Sequence, residues 1–428
     1  MPGPARRTHP SERAALVGLV TGLGRRVDAE QSLDELAGLA RAAGATVVAR
    51  VLQERERPDA GTFLGSGKVL ALARLCDEGE VDVVVFDNEL TPAQLRQIEA
   101  KVERKIIDRT QLILDIFARR ARTREGKWQV ELAQLKYLLP RLVGAGAALS
   151  RLGGGIGTRG PGETKLETDR RRIRQRISAI SRDIDAVRQR RAQLRERRHK
   201  ASVPTVALVG YTNAGKTTLF NLLTREKAQT SNALFVTVDP LVRRVRLPDR
   251  RELLVSDTVG FIDRLPHSLV AAFRATLEEV AAADLLLHVV DAGVQDRERQ
   301  MAAVRRVLDE VGAADVPVIE VFNKCDTIDE AEERRLLQQY PASVCISALF
   351  GDGRADLLDT VASRLALDTR PVLLHFRTGS EADRQRIALL YRHARVRTHT
   401  TSDGHITIEA EVPRRLLDRL APERTDEP

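Results

Sequence analysis

Residues 205–223 read TVALVGYTNAGKTTLFNLL, which is an apolar segment, a loop bounded by glycines and an amphipathic segment. Gly210, Gly215, Lys216 and Thr217 give this loop the spacing G-x-x-x-x-G-K-T. The apolar segment predicts a buried strand and the last segment a helix, which is the context that the pattern requires. There the loop amides surround phosphate oxygens at the helix N-terminus. The stretch therefore predicts an α/β fold with a phosphate site, in which Lys216 reaches the β- and γ-phosphates and Thr217 binds Mg²⁺.

Three further motifs follow in chain order, each directly after an apolar segment. In the DTVG motif at 257–260, we expect the carboxylate to hold Mg²⁺ through water and the Gly260 amide to sense the γ-phosphate. In the NKCD motif at 323–326, Asp326 can accept two hydrogen bonds from guanine, which adenine does not offer. Ser347-Ala348-Leu349 fits a loop that supports the base. Because the carboxyl ends of parallel strands share one sheet edge, the motifs predict a single site selective for GTP.

This site is expected to bind nucleotide through 25 residues of five segments. They are Gly210, Tyr211, Thr212, Asn213, Ala214, Gly215, Lys216, Thr217, Thr218, Phe235, Val236, Thr237, Val238, Asp239, Asp257, Thr258, Val259, Gly260, Asn323, Lys324, Cys325, Asp326, Ser347, Ala348 and Leu349. The expected metal ligands are Thr217, Thr237 and, through water, Asp257. Thr237 lies in LFVTVDP and is the best candidate for the second hydroxyl, with Thr230 and Thr224 as alternatives.

The residue after the DTVG motif bears on catalysis, which we assign to Lys216, Thr237 and Gly260. Many GTPases place a glutamine there to orient the attacking water, whereas this chain has Phe261. Since that side chain cannot hydrogen-bond to water, we expect slow intrinsic hydrolysis, with the water positioned by another group or by a partner. The Asn213 amide could add K⁺ as a second cation beside the phosphates. The alternative is that Asn213 only stabilises the loop.

The chain as a whole is rich in positive charge, with a net charge of +9 and a pI near 9.8. Twelve arginines but only three acidic residues lie between Arg170 and Arg198. A solvated face normally mixes both signs, so this imbalance favours contact with a polyanion. A nucleic acid and an anionic membrane surface both fit, and arginine abundance can also reflect a GC-rich genome.

Two helical repeats surround a glycine-rich stretch and predict an antiparallel helical hairpin. Apolar residues at heptad-like spacing are Trp128, Leu132, Leu135, Leu139 and Leu142 before it, and Ile173, Ile177, Ile180, Ile184, Val187 and Leu194 after it. Pro140 should kink or end the first helix in its last turn. The stretch itself, GGGIGTRGPG at 153–162, contains G-x-G-x-x-G but follows no predicted strand, so it fails the test for a dinucleotide site. We expect it to lie at the hairpin tip and contact RNA, or else to be only a flexible loop. The expected RNA contacts are Arg151, Gly155, Gly157, Arg159, Gly160 and Lys165.

These patterns divide the chain into five parts within an α/β fold. They are a flexible N-terminal extension (1–29), a small parallel α/β subdomain (30–110), the basic helical hairpin (111–200) with its glycine-rich tip (151–165), the P-loop domain (203–365) and a small α+β module (366–428).

Cys76, Cys325 and Cys345 match neither a zinc motif nor a disulfide framework. With no signal peptide at the start, they predict a cytoplasmic protein with reduced thiols. GTFLGSGKV at 61–69 is one residue too long for a second phosphate loop, so it does not support ATP binding.

The motifs together resemble the HflX family of translation-associated GTPases. The resemblance is carried by GYTNAGKTTLFN, LFVTVDP, DTVGFIDRLPHSLVAAFRATLEEV and FNKCD, and by DRTQLILDIFARRARTREGKWQVELAQLKYLLPRL and GGGIGTRGPGETKLETDRR in the N-terminal half. It covers about residues 30–365, and Phe261 matches the hydrophobic residue that the family has there. The chain departs from the family in reading Asp239-Pro240-Leu241 where relatives often have DPT, which puts the detailed behaviour of that loop in question.

The resemblance implies a GTPase, monomeric off the ribosome, that binds the large ribosomal subunit and its rRNA. It also implies that ribosomes stimulate hydrolysis and that stalled or idle ribosomes are split under stress, with the hairpin reaching toward the peptidyl-transferase region. One alternative is a factor for large-subunit assembly. Another is a passive RNA-binding or hibernation factor with slow GTP turnover. The hypothesis of a membrane-surface GTPase has less support, because the chain shows neither an anchor nor a basic amphipathic helix with bulky aromatics.

Overall fold

The computed structural model describes most of the chain, in two compact units. The described residues are 11–22, 26–142, 161–200, 203–226, 234–248, 251–264, 277–365, 369–402, 404–413, Leu417 and Leu420. The first unit comprises residues 1–185 with 231–236 and 265–273, and the second comprises the remaining residues. In these described ranges, no helix is both long enough and apolar enough to cross a membrane.

The first unit is built on a parallel four-stranded sheet in the order β2-β1-β3-β4. Its strands are β1 (Arg13–Thr21), β2 (Thr46–Arg55), β3 (Val83–Phe86) and β4 (Lys105–Asp108). The connecting helices are α1 (Arg26–Ala42), α2 (Ser66–Glu78) and α3 (Pro92–Val102). The Thr91 hydroxyl accepts from the Gln94 amide to cap α3, and Pro92 occupies the first turn, where its missing N–H costs nothing. The alternation of strands and helices that the sequence predicts for residues 30–110 is confirmed.

Strand β1 corrects the prediction that residues 1–29 are a flexible extension. It lies inside the sheet, bonded to both β2 and β3, and residues 14–20 are all buried. Parallel strands covered on both faces read as continuous apolar runs without alternation. A run this short gives no periodic signal that separates a strand from other apolar segments, so the sequence did not reveal it.

Two helices, α4 (Arg109–Arg120) and α5 (Arg124–Arg141), follow the sheet. Pro140 lies in the last turn of α5, as predicted. The buried face of α5 differs from the predicted leucine seam, because only Leu132 of that seam is buried while Val130, Ala133 and Tyr137 are buried beside it. The leucine spacing therefore marks the half-exposed side of α5. Small and aromatic residues that the heptad count ignored form the packed side.

Helix α6 (Pro161–Lys200) carries the second predicted repeat. Ile180 and Ile184 are buried and Ile173 and Ile177 half-buried, so the heptad face is the packed one. The guanidinium of Arg176 donates two hydrogen bonds, of 2.7 and 2.8 Å, to the Glu131 carboxylate on α5. This pairing agrees with a helical hairpin. Its predicted tip, with Arg151, Gly155, Gly157, Arg159 and Gly160, lies outside the described residues, and Lys165 is described only as part of the helix.

The second unit contains a six-stranded sheet in the order β10-β9-β8-β5-β7-β6. Its strands are β5 (Thr205–Gly210), β6 (Leu241–Arg246), β7 (Glu252–Asp257), β8 (Leu285–Asp291), β9 (Val318–Asn323) and β10 (Val344–Ile346). All pairs are parallel except β6 with β7, and β6 is an edge strand that the sequence did not predict. Its helices are α7 (Lys216–Thr224), α8 (Arg297–Glu310), α9 (Glu330–Gln339) and α10 (Arg354–Leu365). Phe220 of α7 is fully buried in the core of this sheet. The sheet therefore brings the carboxyl ends of β5, β7, β8, β9 and β10 to one edge.

The C-terminal part of the second unit is a three-stranded antiparallel sheet with one helix. Its elements are β11 (Thr369–Arg377), α11 (Glu381–His393), β12 (Arg395–Ser402) and β13 (His405–Pro413), with sheet order β11-β13-β12. Phe376, Leu390 and Ile408 lie in its core. These elements match the predicted strand, helix and two strands. The helix predicted after β13 falls mostly outside the described residues.

Buried His288 on β8 should make the second unit sensitive to mild acid. Burial, with smaller contributions from the charges of Arg305 and Lys216, lowers the pKa of His288 to about 3. Below about pH 6.5 the unfolded chain takes up a proton that the folded chain refuses, so stability falls as the pH decreases. At pH 5 the loss should be about 2 kcal/mol, or about 5 °C in Tm. We expect the Tm of the wild-type protein to fall more between pH 7 and pH 5 than that of His288→Gln, by differential scanning calorimetry. Parallel pH curves for the two proteins would contradict this.

Candidate functional site

The loop between β5 and α7 has the backbone shape that phosphate binding needs. Gly215, which precedes α7, has a φ of 95°. A Cβ there would lie 2.1 Å from the Asn323 side-chain nitrogen, so only glycine fits. Asn213 also has a positive φ, of 63°, and is exposed. The loop thus presents its amides at the N-terminus of α7, where an anion is favoured.

Lys216 lies buried beneath this loop. Its ammonium donates to the carbonyl oxygens of Gly210 and Tyr211, at 3.0 and 2.7 Å. Burial lowers the pKa of Lys216 to about 8, and the nearby Asp257 carboxylate opposes that shift. Gly260 also lies close to it, because a Cβ at Gly260 would stand 3.2 Å from the Lys216 ammonium nitrogen. The structure therefore brings together the lysine and the glycine that the sequence assigns to the γ-phosphate.

Three oxygen-bearing side chains meet beside Lys216. The Thr217 hydroxyl lies 2.7 Å from the Thr237 hydroxyl, and these two donate to Asp257 Oδ2 at 2.8 and 3.0 Å. Asp257 is fully buried, and its Oδ1 has no hydrogen-bond partner among the described residues. Burial raises the pKa of Asp257, although both threonine hydroxyls and the charge of Lys216 act against the rise. Two hydroxyls and a carboxylate with an unpartnered oxygen are donors that Mg²⁺ prefers, so these residues fit that ion. Thr237 is the threonine found there, the Thr224 hydroxyl donates instead to the Phe220 carbonyl, and Thr230 lies outside the described residues.

Phe261 is buried and bonded to the phosphate loop through its backbone. Its amide donates to the Gly210 carbonyl at 3.1 Å, and its carbonyl accepts from the Thr212 amide at 2.7 Å. Its side chain is 1% exposed. The ring therefore packs in the interior, and the segment after the DTVG motif is held to the loop by backbone bonds.

The NKCD and Ser347 segments lock together at the ends of β9 and β10. Asn323 donates to the Ala214 carbonyl at 2.8 Å and accepts from the Ala348 amide at 2.9 Å, so it joins both segments to the phosphate loop. The Ser347 hydroxyl donates to Asp326 Oδ1 at 2.6 Å. Asp326 is exposed, which leaves its other oxygen available to a base. The predicted base-binding residues therefore do meet, except that the side chain of Leu349 is 72% exposed.

Phe235, which the sequence assigns to nucleotide binding, has a packed side chain. It belongs to the first unit, where its ring packs edge-on against Phe117 with centroids 4.7 Å apart. The ring is 2% exposed, and its backbone has a positive φ of 57°. The structure thus gives Phe235 a packing contact, although its position two residues before Thr237 suggested a nucleotide contact.

Two further residues support the site and escaped sequence reasoning. Asp291, at the end of β8, accepts from the Lys324 ammonium at 2.6 Å and so fixes the NKCD segment. Its place at the carboxyl end of a buried strand was the available signal. Asp263 donates its amide to the Tyr211 hydroxyl at 2.8 Å, and its carboxylate pairs with Arg299 and Arg306 on α8. No motif marks that pairing.

Models of known protein families match most of the chain. Residues 30–118 match a family model described as GTP-binding GTPase N-terminal, residues 120–198 one described as GTP-binding GTPase Middle Region, and residues 205–324 one described as 50S ribosome-binding GTPase. Among solved structures, a GTP-binding protein from Sulfolobus solfataricus in complex with GDP is 23% identical, with a TM-score of 0.44, and covers 82% of this chain and 98% of its own.

Curated relatives extend the similarity over nearly the full length. The GTPase HflX of Caldanaerobacter subterraneus is 44% identical over 96% of this chain and 93% of its own. The GTPase HflX of Escherichia coli is 43% identical over 90% of each. This similarity agrees with the assembled phosphate, metal and base segments. The chain therefore belongs to the GTPase HflX family, binds guanine nucleotides and hydrolyses GTP.

Proposed function

We propose that this chain acts in the cytoplasm on the large ribosomal subunit, hydrolyses GTP faster when bound to it, and splits or rescues stalled or idle ribosomes. The description of the family model over residues 205–324, 50S ribosome-binding GTPase, supports the partner. The observation that carries the proposal is the charge of α6. Its exposed arginines are well placed to contact rRNA phosphates.

The basic face of α6 consists of arginines that point to solvent. Arg171, Arg174, Arg182 and Arg190 are exposed and, within the described part of the chain, have no ion-pair partner. Arginines committed to surface ion pairs would have part of their charge neutralised inside the protein. These four keep it for an external polyanion, and phosphate contacts of this kind dominate affinity for nucleic acid.

The nucleotide site would couple to ribosome binding through Thr237 and Gly260. In the proposed GTP state both residues contact the γ-phosphate region, and hydrolysis releases their loops and then the protein. When bound, Mg²⁺ would neutralise phosphate charge during the reaction. The backbone amides of the phosphate loop and Lys216 would hold the phosphates, and Asp326 with Ser347 would hold the base. Exposed Asn213 is the residue that would add K⁺.

The proposal predicts a GTPase rate that depends on the ribosome. Because Phe261 is buried and offers no hydrogen bond to water, intrinsic turnover should be slow, and a group positioned by the partner is worth about 100-fold or more. Purified large subunits should therefore raise single-turnover GTP hydrolysis by about that factor. Arg171→Gln/Arg174→Gln/Arg182→Gln should lose most of the stimulation and keep the intrinsic rate.

A matched variant separates specific contacts from total charge. Arg334→Gln/Arg335→Gln/Arg384→Gln removes the same charge from exposed positions elsewhere and should respond like the wild type. In salt titrations of subunit binding, only the α6 variant should show a shallower slope, by about 2–3. Equal loss in both variants, or no stimulation of the wild type, would rule out the proposed contact.

Three possible roles of the bound protein differ in what they do to vacant ribosomes. A splitting factor with GTP should convert them to free subunits in sucrose gradients. An assembly factor or a passive hibernation factor should leave them intact. Intact ribosomes after incubation with GTP would favour the latter two roles. Depletion of the protein would then separate them, because only the loss of an assembly factor should make immature large subunits accumulate.

A further inference from the structure

Two cysteines and a glutamate converge beside the base-binding segments. Cys325 Sγ, Cys345 Sγ and a carboxylate oxygen of Glu333 all lie within 4.8 Å of one another, and each residue is half-buried. Cys325 starts the short 3-10 turn after β9, Cys345 is the middle residue of β10, and Glu333 lies in the first turns of α9. Three different elements thus supply one donor each.

The fold fixes the two thiols through neighbouring backbone. Cys345 is paired with Phe322 in the parallel register of β10 with β9, and Cys325 Sγ donates to the Phe322 carbonyl at 3.2 Å. Both cysteines pack against a small buried apolar cluster of Val290, Ala292, Met301, Phe322 and Leu336. The thiols therefore approach each other because of strand register and core packing.

Glu333 is held independently of the cysteines. The Asp329 carboxylate caps α9 by accepting from the Glu332 amide at 2.8 Å, and the Glu333 amide donates to the Asp329 carbonyl at 3.0 Å. Leu336, one turn further along α9, is fully buried in the same apolar cluster. This anchoring directs the face of α9 that carries Glu333 toward the thiols.

Two thiolates and one carboxylate are ligands of a borderline-soft divalent cation. Zn²⁺ binds cysteine sulfur at about 2.3 Å and carboxylate oxygen at about 2.1 Å, in tetrahedral geometry, which places its ligand atoms about 3.5–4 Å apart. The observed separations need only small side-chain rotations to reach this. Three protein ligands leave a fourth position for water or another small ligand, and half-burial gives an ion access. Mg²⁺ prefers oxygen donors, so these two thiols and one carboxylate should not bind it. The ligand set therefore differs from the oxygen-only set at the nucleotide site.

We propose that Cys325, Cys345 and Glu333 form a second metal site, specific for Zn²⁺-like cations, behind the guanine-binding segments. Cys325 adjoins Asp326 in sequence, and Cys345 lies two residues before Ser347, whose hydroxyl bonds to Asp326. An ion at this site would connect the end of β9 to β10 directly. It would therefore brace the two segments that hold the base.

Cobalt binding tests the site directly, because thiolate ligands give Co²⁺ an intense sulfur charge-transfer absorption that oxygen ligands do not. The reduced full-length protein, with Mg²⁺ and GDP bound, should develop this absorption up to one equivalent of Co²⁺, and Zn²⁺ should abolish it. Cys345→Ser should remove most of the band. Glu333→Gln, at a partly exposed helix position that tolerates change, should weaken Co²⁺ binding about tenfold or more.

Cys76→Ser is the matched control, since Cys76 is a buried thiol of the first unit. It should bind Co²⁺ like the wild type, with circular dichroism showing that every variant is folded. Absence of the sulfur band in the reduced wild type would overturn the proposal. So would a band of undiminished intensity in Cys345→Ser, or an affinity unchanged in Glu333→Gln.

Discussion

Replacing Lys216 with alanine should lower affinity for GTP and GDP by about 100-fold or more and abolish measurable hydrolysis. The ammonium lies buried between the Gly210 and Tyr211 carbonyls, next to Gly260. A charged hydrogen-bond donor on phosphate is worth roughly twice a neutral one, and its loss leaves phosphate charge uncompensated in a desolvated site. Fluorescence titration with a labelled nucleotide and single-turnover hydrolysis measure the two effects.

The same substitution should not unfold the second unit. Burial lowers the pKa of Lys216 to about 8, which shows that the protein is a poor environment for this charge in the absence of phosphate. Removing the ammonium relieves this desolvation cost but also removes the donor to the Gly210 and Tyr211 carbonyls, so we expect a Tm close to that of the wild type. Lys216→Arg, which keeps the charge in a bulkier form, should bind nucleotide poorly as well. Normal hydrolysis by Lys216→Ala would show that the phosphate site has been misassigned.

The nucleotide site could be predicted because its chemistry depends on local sequence. Gly215 is required by its own backbone angle, and Lys216, Asp257 and Asp326 each follow a strand at a fixed offset. A parallel sheet then brings strand ends together without any further information. Thr237 was the best of three candidate threonines in the sequence, and the structure places it beside Thr217 and Asp257.

Features that depend on neighbours distant in sequence were missed. Residues 14–20 of strand β1 form a continuous apolar run, and only the position of the strand between β2 and β3 explains why. Phe235 lies in a segment that reads as nucleotide-binding, yet the ring of Phe117 provides its packing partner. The sequence spacing of Cys325 and Cys345 matches no metal-binding motif. The β9–β10 register and the cap of α9, rather than local spacing, bring their thiols to Glu333. In each case packing between residues distant in sequence determined the structure, and the local sequence pattern did not reveal it.

Replacing Asp326 with asparagine should exchange the preference for guanine for a preference for xanthine. Ser347 donates to Oδ1 of Asp326 at 2.6 Å, which orients the carboxylate and directs the other oxygen to the base. If Oδ1 keeps this bond in the variant, the amide nitrogen replaces Oδ2 and faces the exocyclic amine of guanine, so that two donors oppose each other. Xanthine has a carbonyl at that position and accepts the new donor.

The size of this exchange follows from the cost of an unpaired polar group at a desolvated base. A site built to hydrogen-bond its ligand rejects an analogue lacking the partner by about 10⁴-fold, and this exposed carboxylate should give about 10³-fold. Competition of GDP and XDP against a fluorescent nucleotide measures the ratio. Asp329→Asn is the matched control, because it makes the same charge change at the cap of α9, away from the base. It should keep guanine preference, and a variant at Asp326 that also keeps it would remove that residue from the base site.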